Sequence, residues 1–229
     1  MRKISESVYQ ITLGPVNAFV IDDNGLTLID TGYAGSTDRI FKSISKAGKN
    51  PEDIKRIILT HLHPDHAGSA AEIKRRLNIP LLAHELDADL IENGTGGRNP
   101  KVLSPGLLNW LVFHIFIKRA PMKTEPAQVD QRLTDNDVLD IAGGLQVVHT
   151  PGHSKGHIAL LLQEEGLLIA GDICANFIGL ELSTIYEDMA VAKASLSKVA
   201  DLDFDKAVFG HGIMIRSHAS KKFKKAFKR

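Results

Sequence analysis

The chain is short of cysteine, of net charge and of long apolar runs, and each shortage excludes something. One cysteine, Cys174, in 229 residues rules out an intramolecular disulfide framework and suits a reducing compartment. The 28 basic and 27 acidic residues leave a formal net charge of +1, so no global field draws nucleic acid, and none is expected as a partner. No apolar run is long enough to span a bilayer. The N-terminal stretch Met1-Arg-Lys-Ile-Ser-Glu-Ser lacks the apolar core of a secretory signal. A cytoplasmic protein is the expectation, folded as one domain over 1–229, a length that buries a substantial core without staples.

What the chain does have is histidine in the right places. His61-Leu-His63-Pro-Asp65-His66 packs three imidazoles and a carboxylate into six residues, directly after the apolar run Ile57-Ile58-Leu59. Imidazole nitrogen and carboxylate oxygen are the donors that divalent zinc and iron accept. Alternation along the loop lets His61 and His63 point one way while Asp65 and His66 point to a second place nearby, so one segment can serve two metals. Four further apolar runs end in residues of the same kind. Leu26 to Ile29 leads into Asp30-Thr31-Gly32, and Leu145 to Val148 into His149-Thr150-Pro151-Gly152-His153. Gly166 to Ala170 leads into Gly171-Asp172, and Ala207 to Phe209 into Gly210-His211-Gly212. Such runs read as buried strands bounded by turn residues. Strand ends sharing one sheet edge would bring all five stretches together.

The ordered set His61-x-His63-x-Asp65-His66, Thr150-Pro151-Gly152-His153, Gly171-Asp172 and Gly210-His211 resembles the metallo-β-lactamase fold superfamily. The resemblance runs from about Asp30 to His211. It implies an α+β fold, the four-layer αββα sandwich of that superfamily. It also implies that His61, His63 and His153 hold one metal, that Asp65, His66 and His211 hold a second, and that Asp172 bridges them. Asp30 resembles the family's Asp beneath the metals, which orients a ligand His through its second nitrogen; an Asp capping the turn before Gly32 is the plainer alternative. Two divalent ions are implied, zinc first with iron or manganese as alternatives.

Two such metals can share a hydroxide near neutral pH and polarise a carbonyl or phosphoryl oxygen. The expected activity is hydrolysis of an ester-like bond in a small-molecule substrate: a thioester, a lactone or a relative. Asp172 and Asp65 would be the catalytic carboxylates, Asp65 orienting the nucleophile and passing a proton. True β-lactamases of this fold generally carry another residue, such as Cys or Ser, where Asp172 stands. The chain ends soon after His211, so the glutathione-binding extension of the glyoxalase-II-like thioesterases is not expected. The lactonases of the family often have a Tyr shortly after the bridging Asp; here Ile173-Cys174-Ala175-Asn176-Phe177 follows, leaving Tyr186 to reach in from elsewhere. The alternative activity is that of a persulfide-dioxygenase-like oxidoreductase with one iron. A nuclease or phosphodiesterase ranks below both, on charge balance.

Helical spacing is expected over Thr37 to Ala47, Ala67 to Leu77, Glu85 to Ile91 and Ala190 to Val199. The stretch 94–128 reads as an insertion or lid, opening with Gly94-Thr-Gly-Gly97 and Asn99-Pro100. It contains the most apolar run of the chain, Leu107 to Ile117, with the only tryptophan. A lid over the substrate pocket, a homodimer contact and an ordinary core helix all fit it. On the lid reading Trp110 and Phe113 shape an apolar pocket, and Cys174 lies near enough to Asp172 to line it, although a buried structural role also suits a cysteine. His149 and His157 are expected to be packed or to support ligands, and His84 to cap an element. The basic tail Lys221 to Arg229 has Phe223 and Phe227 at i and i+4; a terminal helix docking both rings is expected over an anchor for an anionic surface.

Overall fold

A computed structural model describes residues 1–99 and 102–228; Pro100 of the expected loop and Arg229 of the tail lie outside the described residues. The N-terminal half forms a seven-stranded sheet. Its strands are β1 (Arg2–Lys3), β2 (Val8–Thr12), β3 (Asn17–Asp22), β4 (Leu26–Ile29), β5 (Ile54–Ile58) and β6 (Leu81–His84), and it is completed beyond the short β7 (Val102–Leu103) by β8 (Gln131–Leu133). β1 to β4 meander antiparallel, whereas β4, β5, β6 and β8 run parallel. The C-terminal half forms a five-stranded sheet of β9 (Val138–Leu139), β10 (Leu145–His149), β11 (Ile158–Leu162), β12 (Leu167–Ile169) and, later in the chain, β16 (Lys206–Val208). Between them lie the hairpin β13 (Ala175–Asn176) and β14 (Leu180–Glu181), and β15 (Ile185–Tyr186), which pairs with β7.

The period of two along each strand makes the layers. Phe19, Ile21, Ile29 and Ile58 of the first sheet face Val147, Ile158, Leu160 and Ile169 of the second in one apolar interior. The alternate residues Ala18, Val20, Leu28 and Ile57 pack outward against α1 (Thr37–Lys46), α3 (Ala70–Leu77) and α4 (Glu85–Glu92). On the far side Val148, Ala159, Leu161 and Leu168 pack against α6 (Met189–Ala200) and α7 (Ala219–Phe227). The result is the four-layer αββα sandwich. Both faces of each sheet are covered, which is why these strands read as unbroken apolar runs.

The helix expected over Ala67 to Leu77 is instead two pieces, α2 (Pro64–Ala67) and α3. The break has a local cause. Gly68 N–H donates to the Gly32 carbonyl at 2.9 Å and Ser69 N–H to Thr31 Oγ1 at 3.2 Å, so two donors leave the helical ladder to hold the loop after β4. A Cβ at Gly68 would stand 2.4 Å from Ala34 N and from the Pro64 carbonyl, too close for any side chain. The apolar run becomes α5 (Leu107–Val112) followed by a π-turn, Phe113–Ile117, and none of it is buried. The core-helix alternative is thereby overturned. The tail forms α7, with Phe223 fully buried against Phe204 and Phe209. No helix among the described residues is long and apolar enough to cross a membrane.

Candidate metal centre

Five loops deliver side chains to one edge of the sandwich. Asp30 follows β4, Thr60 to His66 follow β5, Thr150 to His153 follow β10, Asp172 follows β12 and His211 follows β16. Main-chain bonds stitch these loops across the two sheets. Ile158 N–H donates to the Thr60 carbonyl at 2.9 Å, Asn17 N–H to the Gly210 carbonyl at 2.8 Å, and Gly210 N–H to the Gly171 carbonyl at 2.9 Å. At Gly210 a Cβ would fall 2.0 Å from Asp172 Oδ1 and 2.6 Å from His66 Cε1, so only glycine lets this loop pass behind the cluster.

Asp30 organises the floor. Fully buried, with φ of 59°, it occupies a conformation that costs a non-glycine residue energy. Its Oδ1 accepts from Thr60 N–H at 2.8 Å, and its Oδ2 from Thr60 Oγ1 and from His66 Nδ1, each at 2.8 Å. A carboxylate only accepts, so a proton of His66 sits on Nδ1 and Nε2 is the atom turned toward the cluster. The same logic runs through the other rings. Thr60 Oγ1, having donated to Asp30, accepts from His61 Nδ1 at 3.0 Å. His153 Nδ1 donates to the Ile185 carbonyl at 2.9 Å, and His211 Nδ1 to the Pro15 carbonyl at 2.8 Å. Four rings thus present Nε2 to a common centre, while His63 turns its Nδ1 to within 3.1 Å of His61 Nε2.

The free donors fall into overlapping sets. His61, His63 and His153 offer three nitrogens, all within 4.8 Å of one another; His61, His66 and Asp172 form a second such set, and Asp65, His66 and His211 a third. Asp172 lies between them. Its Oδ1 is 3.5 Å from His66 Nε2, and its Oδ2 is 3.6 Å from His153 Nε2 and 3.2 Å from His211 Nε2. Asp65 Oδ2 lies 3.2 Å from His211 Nε2.

The buried atoms His66 Nε2, His153 Nε2 and Asp172 Oδ1 have no hydrogen-bond partner among the described residues. Three orphaned polar atoms aimed at one point are costly unless something coordinates them. This donor set fits a metal ion. Burial and neighbouring rings hold His61 and His63 well below the usual imidazole range, and burial lowers His153; neutral rings are the form that binds metal. His66 and His211 go the other way: burial opposes their charge, but Asp172 and Asp65 outweigh it. Burial likewise works against ionisation of Asp65 and Asp172, yet His66 and His211 keep both carboxylates below their ordinary range. One side of the cluster therefore favours neutral donors, whereas on the other two imidazoles and two carboxylates favour each other's charged forms.

The family model for the metallo-beta-lactamase superfamily matches residues 11–211. The chain belongs to this superfamily. It is 30% identical over 229 residues to the protein YobT of Bacillus subtilis (strain 168), covering 93% of this chain and 91% of that one. An atrochrysone carboxyl ACP thioesterase of Pseudocercospora fijiensis is 25% identical over 94% of this chain, which spans about half, 53%, of that relative's length. Among solved structures, a metallo-beta-lactamase family protein from Thermus thermophilus superposes with a TM-score of 0.71 at 24% identity, covering 97% of this chain and 78% of that one. The subclass B3 metallo-beta-lactamase of Bradyrhizobium japonicum gives 0.70 at 24% identity, with 92% and 76% covered. At these identities the likeness to solved structures is one of fold.

This metallo-beta-lactamase superfamily chain brings His61, His63, Asp65, His66, His153, Asp172 and His211 into one cluster above Asp30. The expected apolar pocket is not assembled in the same way. Cys174 has no exposed surface and packs with Ile173 and Tyr186 in the core beneath α6; it lines no pocket, and burial pushes its thiol up. Trp110 and Phe113 lie on the exposed segment, Trp110 stacked on His114 at 4.3 Å. Tyr186 does not reach into the site either: it is fully buried and donates its hydroxyl to the Ile173 carbonyl at 2.7 Å while accepting from Ser183 N–H. His157 supports the site from behind, its Nε2 accepting from Asp172 N–H at 2.8 Å. His84 caps α4, and His149 stacks on it at 4.0 Å.

Three contributors escaped the sequence reading. Thr60 links Asp30 to His61, signalled only by its place before the histidine cluster. Tyr33 stands half-exposed beside the cluster, its phenol pushed up by partial burial and then by Asp65. Asp87 is buried in α4 and accepts from Arg98 at 2.7 Å, from Ser154 Oγ at 2.7 Å and from Gly156 N–H at 3.0 Å. Through these bonds it fixes the loop that carries His153. Spacing along the chain gives no hint of a bond between residues so far apart.

Proposed function

We propose that the protein is a dinuclear metal-dependent hydrolase that cleaves an ester-like bond, a thioester or lactone, in a small-molecule substrate. The position of Asp172 carries this reading, since its two oxygens face donors of both sets at 3.2–3.6 Å. His61, His63 and His153 would hold one cation and Asp65, His66 and His211 the other, with Asp172 shared. Zinc suits the donors best, and iron and manganese are compatible with them. When bound, two such cations supply an activated water and Lewis-acid polarisation of the scissile carbonyl.

The chain's own groups do the rest. Asp30 and Thr60 orient two ligand rings, and the Ile185 and Pro15 carbonyls orient two more. Asp65, partly exposed at the mouth, is placed to accept a proton from the nucleophile and return it to the leaving group. Tyr33, half-exposed and with its phenol raised by burial and by Asp65, would be the donor to the substrate's developing oxyanion. Residues 1–229 are read as one domain, with 94–128 as an insertion beside the metal centre, its Trp110 on the exposed segment and not against the donor cluster. The ACP thioesterase of Pseudocercospora fijiensis supports the thioester member of the class. A single buried cysteine suits the cytoplasm.

The test joins metal content per chain, by elemental analysis, to turnover of a thioester and lactone panel. Two zinc ions with hydrolysis is the expected result. Asp172→Ala should lose one metal and at least about a hundredfold in kcat with an unchanged circular dichroism spectrum. Full activity with two metals in that variant would remove the shared-ligand assignment. One iron with no hydrolysis would shift the activity to oxygen-dependent sulfur chemistry.

A further inference from the structure

The segment Leu107 to Ile117 is built inside out. Leu107, Leu108, Trp110, Leu111, Ile115 and Phe116 are all exposed, Leu107 by 75% and Phe116 by 69%. A surface helix of a soluble domain turns its apolar stripe inward; here Leu107, Leu108, Leu111 and Ile115 form a stripe that points away from the sandwich. The polar Asn109 is turned back: its Oδ1 accepts from Thr184 Oγ1 at 3.3 Å, while His114 Nδ1 donates within the segment to the Trp110 carbonyl at 2.9 Å.

The feet of this projection straddle the metal centre. One foot, β7, pairs with β15, whose Ile185 carbonyl holds His153. The other returns through Met122, whose carbonyl accepts from Gly96 N–H at 2.9 Å. A Cβ on the neighbouring Gly97 would stand 2.6 Å from Met122 Cε and 3.4 Å from His63 Cδ2. Charge is biased over the same stretch. Between Val102 and Thr124 there is no aspartate or glutamate, while Lys118, Arg119 and Lys123 are exposed at the end of the apolar turn.

We propose that this outward face is a docking surface for an anionic phospholipid membrane, on which the protein lies with the rim of its metal centre at the lipid interface. The eleven residues measure about 16 Å as a helix, far short of a span, and an apolar stripe with adjacent lysine and arginine is the makeup of a segment lying in the interface. A second copy of the chain suits the face less well. Lys118, Arg119 and Lys123, exposed at the end of the turn, would be brought near their own counterparts across a twofold contact, a like-charge juxtaposition that an anionic surface does not present.

Trp110 is the only tryptophan, so intrinsic fluorescence reads this segment alone, and the reading needs no catalysis. With phosphatidylglycerol vesicles the full chain should co-sediment and its emission should shift to the blue. Binding should be at least about tenfold stronger than to phosphatidylcholine vesicles and should weaken with salt. Leu108→Glu combined with Ile115→Glu, both at exposed positions, should abolish the shift with metal content and circular dichroism unchanged. Absence of both sedimentation and a blue shift with phosphatidylglycerol vesicles would overturn the proposal. So would a blue shift that appears without vesicles as the protein is concentrated and the sedimenting mass doubles, which would give the face to a second copy.

Discussion

Asp30 and Asp87 are two buried carboxylates that touch no place for substrate, yet each fixes a loop of the metal centre. Asp30 accepts three hydrogen bonds from Thr60 and His66. Asp30→Ala should lower metal affinity by about 10–100-fold, measured by competition with a chromophoric chelator; unchanged affinity would reduce Asp30 to a turn residue. Asp87 is paired with Arg98 and also holds Ser154 and Gly156. Asp87→Ala leaves that guanidinium with Glu187 and the Leu86 carbonyl but strands the Ser154 and Gly156 donors, and should cost about 2 kcal/mol in urea denaturation. A double-mutant cycle with Arg98→Met should show a coupling above about 0.5 kcal/mol, since the two side chains are in direct contact. The two residues differ in legibility. Asp30 ends an apolar run and belongs to an ordered motif, whereas nothing near Asp87 in the chain announces its partners.

Elements meet the site through their ends, and α4 shows how titration enters. His84 caps it, Nδ1 accepting from Leu86 N–H at 3.2 Å, which only an unprotonated nitrogen can do. Burial first, and then the stacked His149, push its pKa down to about 4 from 6.5. Between those values the unfolded chain binds a proton that the folded chain does not, so stability rises with pH through the window. The contribution is complete above pH 6.5 and is lost as pH falls toward 4. A charged ring would also face the positive end of the helix. His84→Asn keeps a capping acceptor without a titrating group and should flatten the pH dependence of unfolding between neutral pH and about pH 5. A variant with the wild-type slope would place the titration elsewhere. At the opposite end of the chain α7 docks as the expected terminal helix, with Phe223 wholly buried and Phe227 partly so, while Lys221, Lys222, Lys224 and Lys225 remain exposed.

Across the whole molecule the cluster of donors sits at the edge of a sandwich with its own apolar interior. Three apolar clusters, one between the sheets and one under each helical layer, hold the fold, and the cluster of donors lies at their edge. Stripping metal with a chelator should therefore leave the circular dichroism spectrum intact while lowering Tm. A site saturated about a hundredfold over its Kd contributes about 2.7 kcal/mol, and a chain of this size moves by about 2–4 °C per kcal/mol, so a fall of about 5–10 °C is expected by calorimetry. Collapse of the secondary structure on chelation would show instead that the metal nucleates the fold. The sequence by itself determined the strand runs, the superfamily and the identities of the clustered residues, because apolar periodicity and short-range motif spacing are local properties of a chain. Only the tertiary structure decided which nitrogen of each ring is free, that Cys174 and Tyr186 are buried away from the site, that Asp87 fixes the His153 loop, and that Leu107 to Ile117 faces outward. These depend on carbonyls, carboxylates and neighbouring elements that come from far along the chain, and their pairings exist only once the two sheets have closed on each other.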